Sequence, residues 1–511
     1  MDAVTASEAS PDASAASPSY ASRRIYAVVG VPPEIQAYAL AKYSRSGQGM
    51  LESIQELSQQ TAEQFLNTYY FEYGHRSIAD LAHLVFGLEQ ISIVAAIAVV
   101  DEPVWDGQER STRYQPFRKT GWHLPAEVAG TSVEALFTHT AEALFAAYAD
   151  LSARLTDQLA EVVPRPESMP DGAYRRTLRA RAFDVARALL PLATHTSVGQ
   201  VVSARVLERQ IARLLGSPYL EVRAVGRELK RACQRPPEAP LGGEASAAAA
   251  ATLVKYADAS PYPAAVAREL GQMAEVLLAA AGAPDRSRLV ELIEPAPEPL
   301  DEIVATLLYR HDRTGHSYRQ CLEVVGQLAE AQKREVFEGS FRARGQHDEL
   351  LREHQAGYSL VFDVLVDLGS FRDLHRHRRC VQVQQPLTWD HGFLPPEQVL
   401  QAGLGFSSDL TRLYAEALRV TETAAGQVRQ VSPRGADYLL PLAYRTRCLF
   451  KMDWAQAAYM IEQRTAPAGH FSYRRVAWAM YQALQARHPA LATPIRATDP
   501  EAALESDLLT R

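Results

Sequence analysis

Apolar residues recur at helical spacing over 33–73, with a Ser/Gly-rich break at 44–49. The segment Gly74-His75-Arg76-Ser77-Ile78-Ala79-Asp80 then leads into Leu84-Val85-Phe86-Gly87-Leu88, an apolar run that predicts a strand. Residues 91–100 are almost wholly apolar and predict a buried helix, which Asp101-Glu102-Pro103 ends. A polar loop runs from Asp106 to Tyr114. Helical patterns cover 132–162, 174–190 and 198–231, the last broken at 216–218. The stretch 236–263 is rich in Pro, Gly and Ala, with five consecutive alanines at 247–251, and reads as a linker or weakly structured connection.

The second half echoes the first. Ala41-Lys42-Tyr43-Ser44-Arg45 returns as Leu307-Leu308-Tyr309-Arg310-His311, and Leu189-Leu190-Pro191-Leu192 returns as Leu439-Leu440-Pro441-Leu442. The strand at Val85 is matched near Leu360. Offsets of about 250–275 residues are too long for a solenoid and suggest a duplicated domain.

In that half the β-branched run Leu360-Val361-Phe362-Asp363-Val364-Leu365-Val366 precedes Phe371-Arg372-Asp373-Leu374-His375-Arg376-His377-Arg378-Arg379. Three arginines and two histidines fall within five residues there. An arginine fork grips phosphate or pyrophosphate oxygens in pairs, and imidazole adds a donor or stacks on a flat ring. The same residues also suit a solvated basic face balanced by Asp363, Asp367 and Asp373.

Composition narrows the class. At 511 residues the chain exceeds one typical domain, and 47% hydrophobic with 22% charged residues suits a globular protein. A net charge of −7 argues against a general nucleic-acid binder, so an anionic ligand must meet local basic clusters. Cys233, Cys321, Cys380 and Cys448 form no metal-spaced pair and fit a reducing compartment. His311 and His316 have no partners at ligand spacing, so no metal site is expected. No apolar run reaches membrane-spanning length, and residues 1–22 lack a signal-peptide pattern, which predicts a disordered tail and a cytoplasmic protein without a membrane partner.

Two partial motifs complete the picture. The second half carries Arg376-His377-Arg378, followed by Val381, Pro386 and Thr388; the first carries Glu109-x-Ser111-x-Arg113-Tyr114, preceded by Asp101-Glu102-Pro103 and Asp106. Together they resemble the flavin-dependent thymidylate synthases (ThyX), whose signature is Arg-His-Arg, a Ser three residues on, then Glu-x-Ser-x-Arg-Tyr. Each half keeps what the other has lost. The first half also resembles the family at Gly74-His75-x-Ser77 and at Ala186-Arg187-x-x-Leu190-Pro191, whose arginine gives way to Asp437 in the second half. A later arginine of the family, which holds the pyrimidine, has counterparts in Arg213 and Arg464.

The resemblance implies an α+β fold of two ThyX-like domains, each a small antiparallel sheet packed with long helices, at 23–235 and 264–511, joined by 236–263. It implies that Arg376, His377, Arg378, His75 and Ser77 hold FAD, that Glu109, Ser111, Arg113, Tyr114 and Arg187 hold the nucleotide, and that Arg213 and Arg464 act on the pyrimidine. The implied reaction methylates dUMP to dTMP with methylenetetrahydrofolate and NADPH in a composite site, and two chains would pair as a homodimer resembling the family's tetramer. Two alternatives stand beside it: a flavin enzyme acting on another pyrimidine nucleotide, and a catalytically silent nucleotide- or flavin-binding homologue.

Overall fold

Ser92 and Asp367 occupy matching strand-to-helix turns, and each caps its helix. The Ser92 hydroxyl accepts from the Ala95 amide at 3.0 Å at the start of Ile93–Val100, and the Asp367 carboxylate accepts from the Ser370 amide at 2.8 Å at the start of Leu368–Leu374. Ser203 and Asp453 do the same for Ala204–Leu215 and Trp454–Thr465. In each turn the side chain satisfies an amide that the first helical turn leaves free.

The computed structural model describes residues 30–42, 50–55, 64, 66, 76–117, 121–238, 248–346, 348–399, 407–502 and 509. It is an α+β fold with two antiparallel sheets among long helices. The first sheet holds β1 (His83–Ser92), β2 (Asp106–Glu109) and β3 (His195–Ser203) in the order β1-β3-β2. The second holds β4 (Val290–Leu292), β5 (Leu360–Asp367), β6 (Val381–Gln384) and β7 (Arg445–Met452) in the order β4-β5-β7-β6. Without the short β4, the two orders are the same.

The helical pattern expected over 198–231 begins instead as β3. Val198, Val201 and Val202 are β-branched, and β3 lies between β1 and β2. Two ladders of backbone bonds outweigh the helical spacing there. Helices Ala204–Leu215 and Leu220–Cys233 follow, parted at the expected break. Part of the stretch expected as a weakly structured linker is packed: Ala250, Leu253, Val254 and Ala257 are buried, and the amides of Thr252 and Leu253 donate to Glu34 at 2.8 and 3.0 Å.

All eight residues of β5 are buried, because helices cover both faces of its sheet. Tyr309, Val361 and Leu449 pack on one side, and Phe362, Cys448 and Phe450 on the other. That interior also holds charge. Lys451, with no exposed surface, donates to Glu302 at 2.7 Å, Thr306 Oγ1 at 3.0 Å and the Gln355 carbonyl at 3.0 Å.

One hydrophobic core crosses between the halves, joining Phe137, Tyr148 and Leu151 of Glu134–Val162 to Tyr414, Leu418 and Ala425 of Ser408–Val431. Above it the backbone exchanges bonds reciprocally. The Leu192 amide donates to the Leu440 carbonyl at 2.8 Å, and that of Leu442 to Leu190 at 2.9 Å. Ala193 donates to Tyr438 at 2.7 Å, and Ala443 to Ala188 at 2.8 Å. Such exchange is the pattern of an isologous, two-fold contact. Among the described residues, no helix is long and apolar enough to cross a membrane.

Candidate functional site

Asp373, at the end of Leu368–Leu374, lies on the seam between the halves. Arg187 donates to its Oδ2 from Nη1 and Nη2, each at 3.2 Å. Gly369 packs against the pair: a Cβ there would stand 3.1 Å from Asp367 Oδ1 and 3.5 Å from Arg187 Nε. Burial alone would raise the Asp373 carboxyl, but Arg187, Arg113, Arg376 and Arg464 together hold it at about 2. Two of these arginines come from each half. Sequence reasoning placed Asp373 only as a counter-charge on a solvated face, whereas it is largely buried at the centre of the cluster. Its spacing three residues before Arg376 was the available signal.

Arg113 enters from the loop after β2. Its Nε and Nη2 grip Asp184 at 2.8 and 3.2 Å, Nη1 donates to the Tyr473 hydroxyl at 3.0 Å, and Nη2 to the Ala468 carbonyl at 3.0 Å. Burial would lower its guanidinium, but the Asp184 carboxylate raises it. The Ser111 hydroxyl accepts from the Arg113 amide at 3.2 Å, and Thr112 Oγ1 lies 3.4 Å from Arg187 Nη1. Tyr114 is exposed, with the Arg113 guanidinium 5.7 Å from its ring centre. Glu109 pairs with buried Arg372 and lies 4.0 Å from Arg376. Asp184, Arg372 and Tyr473 were not singled out from sequence, because nothing local marks a partner so distant along the chain.

The Arg-His-Arg run diverges. The Arg376 side chain is 40% exposed, and its ion pair with Glu109 is long, at 4.0 Å, leaving donors to spare. His377 turns inward and accepts from Arg464 Nε at 2.8 Å on Nε2, which requires a neutral ring protonated on Nδ1. Burial, then Arg464 and Arg378, push this imidazole down to about 3. Arg464 also stands 5.3 Å from the Tyr473 ring centre.

Arg378 leaves the cluster. It donates to the carbonyls of Val100 and Glu102 and stacks over Trp105 at 4.6 Å, while burial lowers its guanidinium to about 10. With Asp101, Arg352, His375, Cys380 and Gln382 it lines a cavity of about 190 Å³.

Of the other expected residues, Arg213 does not join Arg464. It binds Glu102 Oε1 through Nε at 2.9 Å and the Ala98 carbonyl through Nη2 at 2.7 Å. Ser77 is exposed on the turn Arg76–Leu81, and His75 lies outside the described residues. Among the described residues, no group of His, Cys, Asp and Glu could hold a metal ion.

Chemically the seam is a cation-rich surface. Four guanidiniums act on Asp373, which is bonded to Arg187, and Asp184 holds Arg113, so positive charge remains in excess. Glu109 is matched by Arg372. An anion meeting Arg376 and Arg464 would find charge-assisted donors in a half-buried setting, where they bind most strongly.

Two segments of the chain, residues 30–236 and 291–490, match the family model described as thymidylate synthase complementing protein. Over 507 residues the chain is 26% identical to a UPF0159 protein of Chlamydia muridarum, covering 93% of this chain and 92% of that one. It is 26% identical over 499 residues to the UPF0159 protein Ta1429 of Thermoplasma acidophilum, covering 90% and 94%. A flavin-dependent thymidylate synthase of Mycobacterium sp. is 33% identical over 129 residues, 25% of this chain and 48% of that one. The structure of ThyX from Helicobacter pylori complexed with FAD and dUMP aligns at 12% identity and a TM-score of 0.23, over 39% of this chain and 89% of that one.

Proposed function

Because the chain belongs to the thymidylate synthase complementing protein family, we propose that it is a flavin-dependent thymidylate synthase of two ThyX-like domains sharing one composite site across their seam. The observation that carries this reading is the cross-seam contact of arginines from both halves: Arg187 of the first half bonds Asp373 of the second, and Arg113 bonds the Tyr473 hydroxyl beside Arg464. The Glu-x-Ser-x-Arg part of the split signature meets the Arg-His-Arg part there, through Glu109 and Arg376.

In this reading Arg187, Arg113 and the Ser111 hydroxyl serve the phosphate of dUMP, once an anion competes with Asp373 and Asp184 for the guanidiniums. Arg464 polarises a uracil carbonyl, its orientation held by His377 Nε2. Arg376 fits a flavin pyrophosphate, because it has only a long carboxylate contact, whereas Arg378 is turned to the Val100 and Glu102 carbonyls. FAD bound along that turn would supply the hydride chemistry. Methylenetetrahydrofolate would supply the carbon and NADPH the reducing equivalents, and two chains would assemble as a homodimer. One observation favours a second reading, a binding protein without turnover: Arg113 and Arg187 are already occupied by carboxylates.

The test is the absorbance spectrum of the purified chain, followed by NADPH oxidation and dTMP formation with dUMP and methylenetetrahydrofolate. A flavin band near ~450 nm and dTMP formation in the complete mixture are expected. Failure to retain FAD after reconstitution rejects the flavin reading, and bound flavin without dTMP favours the silent homologue or another nucleotide.

A further inference from the structure

The geometry points to one nucleotide-phosphate site per chain, because the seam related to the arginine cluster by exchange of the halves has Asp437, Thr388, Asp101 and Leu214 where the cluster has Arg187, Arg113, Arg376 and Arg464. This rests on the reading above that Arg113 and Arg187 take the phosphate of dUMP.

The exchange is read from the reciprocal bonds of Leu190–Leu442 and Leu192–Leu440 and from the matched caps Ser92 and Asp367. Arg187 stands three residues before Leu190, and Asp437 three before Leu440. Arg113 lies four residues beyond β2, and Thr388 four beyond β6. Asp373 and Arg376 follow their cap by six and nine residues; Ala98 and Asp101 follow Ser92 by the same counts. At the remaining corner Leu214 matches Arg464 by its distance from the helix cap, with Arg213 beside it.

The mate is closed by its own contacts. Asp437 accepts from the Tyr219 hydroxyl at 2.7 Å and from Arg434 at 3.4 Å. Asp101 accepts from Arg352 at 2.6 Å, and Thr388 donates to Asp390 at 2.7 Å. Ala98 offers only its carbonyl, to Arg213, whose guanidinium also holds Glu102. An incoming phosphate would meet Asp437 and Asp101, like charges that it could displace only at high cost. The two halves therefore make one anion site from each other's remnants, and their second contact serves as structure alone.

The full-length chain should be titrated with dUMP, and separately with inorganic phosphate, by calorimetry. One equivalent of each per chain is expected. Arg113→Gln, which keeps an amide facing Asp184, should weaken dUMP and phosphate binding at least ~10-fold and leave no second population. Asp437→Asn should keep one equivalent at an affinity within ~2-fold. Two equivalents per chain would overturn the inference, as would an Arg113→Gln chain that keeps half its sites at full affinity. One phosphate per chain without dUMP binding would count against the nucleotide alone and support the single site. Binding of neither would overturn both.

Discussion

Arg187 and Asp373 stand 186 residues apart in the chain and meet across the seam, both terminal nitrogens of the guanidinium donating to one carboxylate oxygen at 3.2 Å. The pair is nearly enclosed, so its Coulombic attraction is weakly screened and each partner depends on the other to offset its desolvation. It both ties the halves together and occupies an arginine that a phosphate would use.

Asp373→Asn should therefore separate stability from binding. Loss of the carboxylate leaves Arg187 buried without its counter-charge and should cost roughly 3 kcal/mol, read from urea denaturation. Phosphate and dUMP should bind several-fold tighter, since a competing charge is gone. The folded carboxyl titrates at about 2 against an ordinary 3.8, so it stabilises the fold above pH ~4. The wild-type advantage should persist at pH 5 and shrink as pH falls from 4 to 2; an advantage that grows in acid would contradict the pairing.

His377 predicts a second acid sensitivity with a different window. Its ring titrates at about 3 in the fold against an ordinary 6.5, so the unfolded chain takes the proton first. Its contribution is complete above pH 6.5 and is lost as pH falls toward 3. Between pH 6.5 and 5 the loss should reach about 2 kcal/mol. His377→Gln, which keeps an acceptor for Arg464, should show a correspondingly shallower fall in urea midpoint from pH 7.5 to 5. Identical slopes for the two proteins would rule out a neutral, buried His377.

Arg376→Ala and Arg113→Ala should fail in different ways. Arg376 is half exposed, so its removal should leave thermal stability within ~0.5 kcal/mol while flavin absorbance is lost. Arg113 removal strands Asp184, with Arg181 the nearest remaining cation at 3.5 Å, and should lower the melting temperature as well as weaken dUMP binding. A stable Arg113→Ala chain with unchanged dUMP affinity would exclude that arginine from the site.

Lys451 and Glu302 allow a test away from the seam. Lys451→Met alone leaves Glu302 buried and should cost about 3–5 kcal/mol, whereas adding Glu302→Leu should recover much of that loss. A double-mutant cycle in urea reads the coupling. Additive losses would mean that the buried bond contributes little.

Much of the architecture was legible because it is local. The apolar runs at Leu84–Leu88 and Leu360–Val366 became β1 and β5, and the patterns over 91–100 and 132–162 became helices, since side-chain period and burial act over a few residues. Val198–Ser203 was misread because an apolar segment there suited helical spacing, and only its two neighbouring strands decide for a strand. The site was legible as an inventory. Arg113, Arg187, Arg376 and Arg464 were named from sequence, and all four lower the carboxyl of Asp373, which Arg187 contacts directly.

The sequence by itself determined the family, shown by two matched segments, the split of the signature between halves, and the residue types at the seam. Only the tertiary structure decided which charges face each other: Arg187 with Asp373, Arg113 with Asp184, Arg213 withdrawn to Glu102, and Arg378 turned to the Val100 carbonyl. Those pairings join residues from 71 to 278 positions apart, and no short-range period encodes them. They follow from the close packing of Glu134–Val162 on Ser408–Val431 and from the reciprocal bonds at Leu192 and Leu442, which set the two halves in one register.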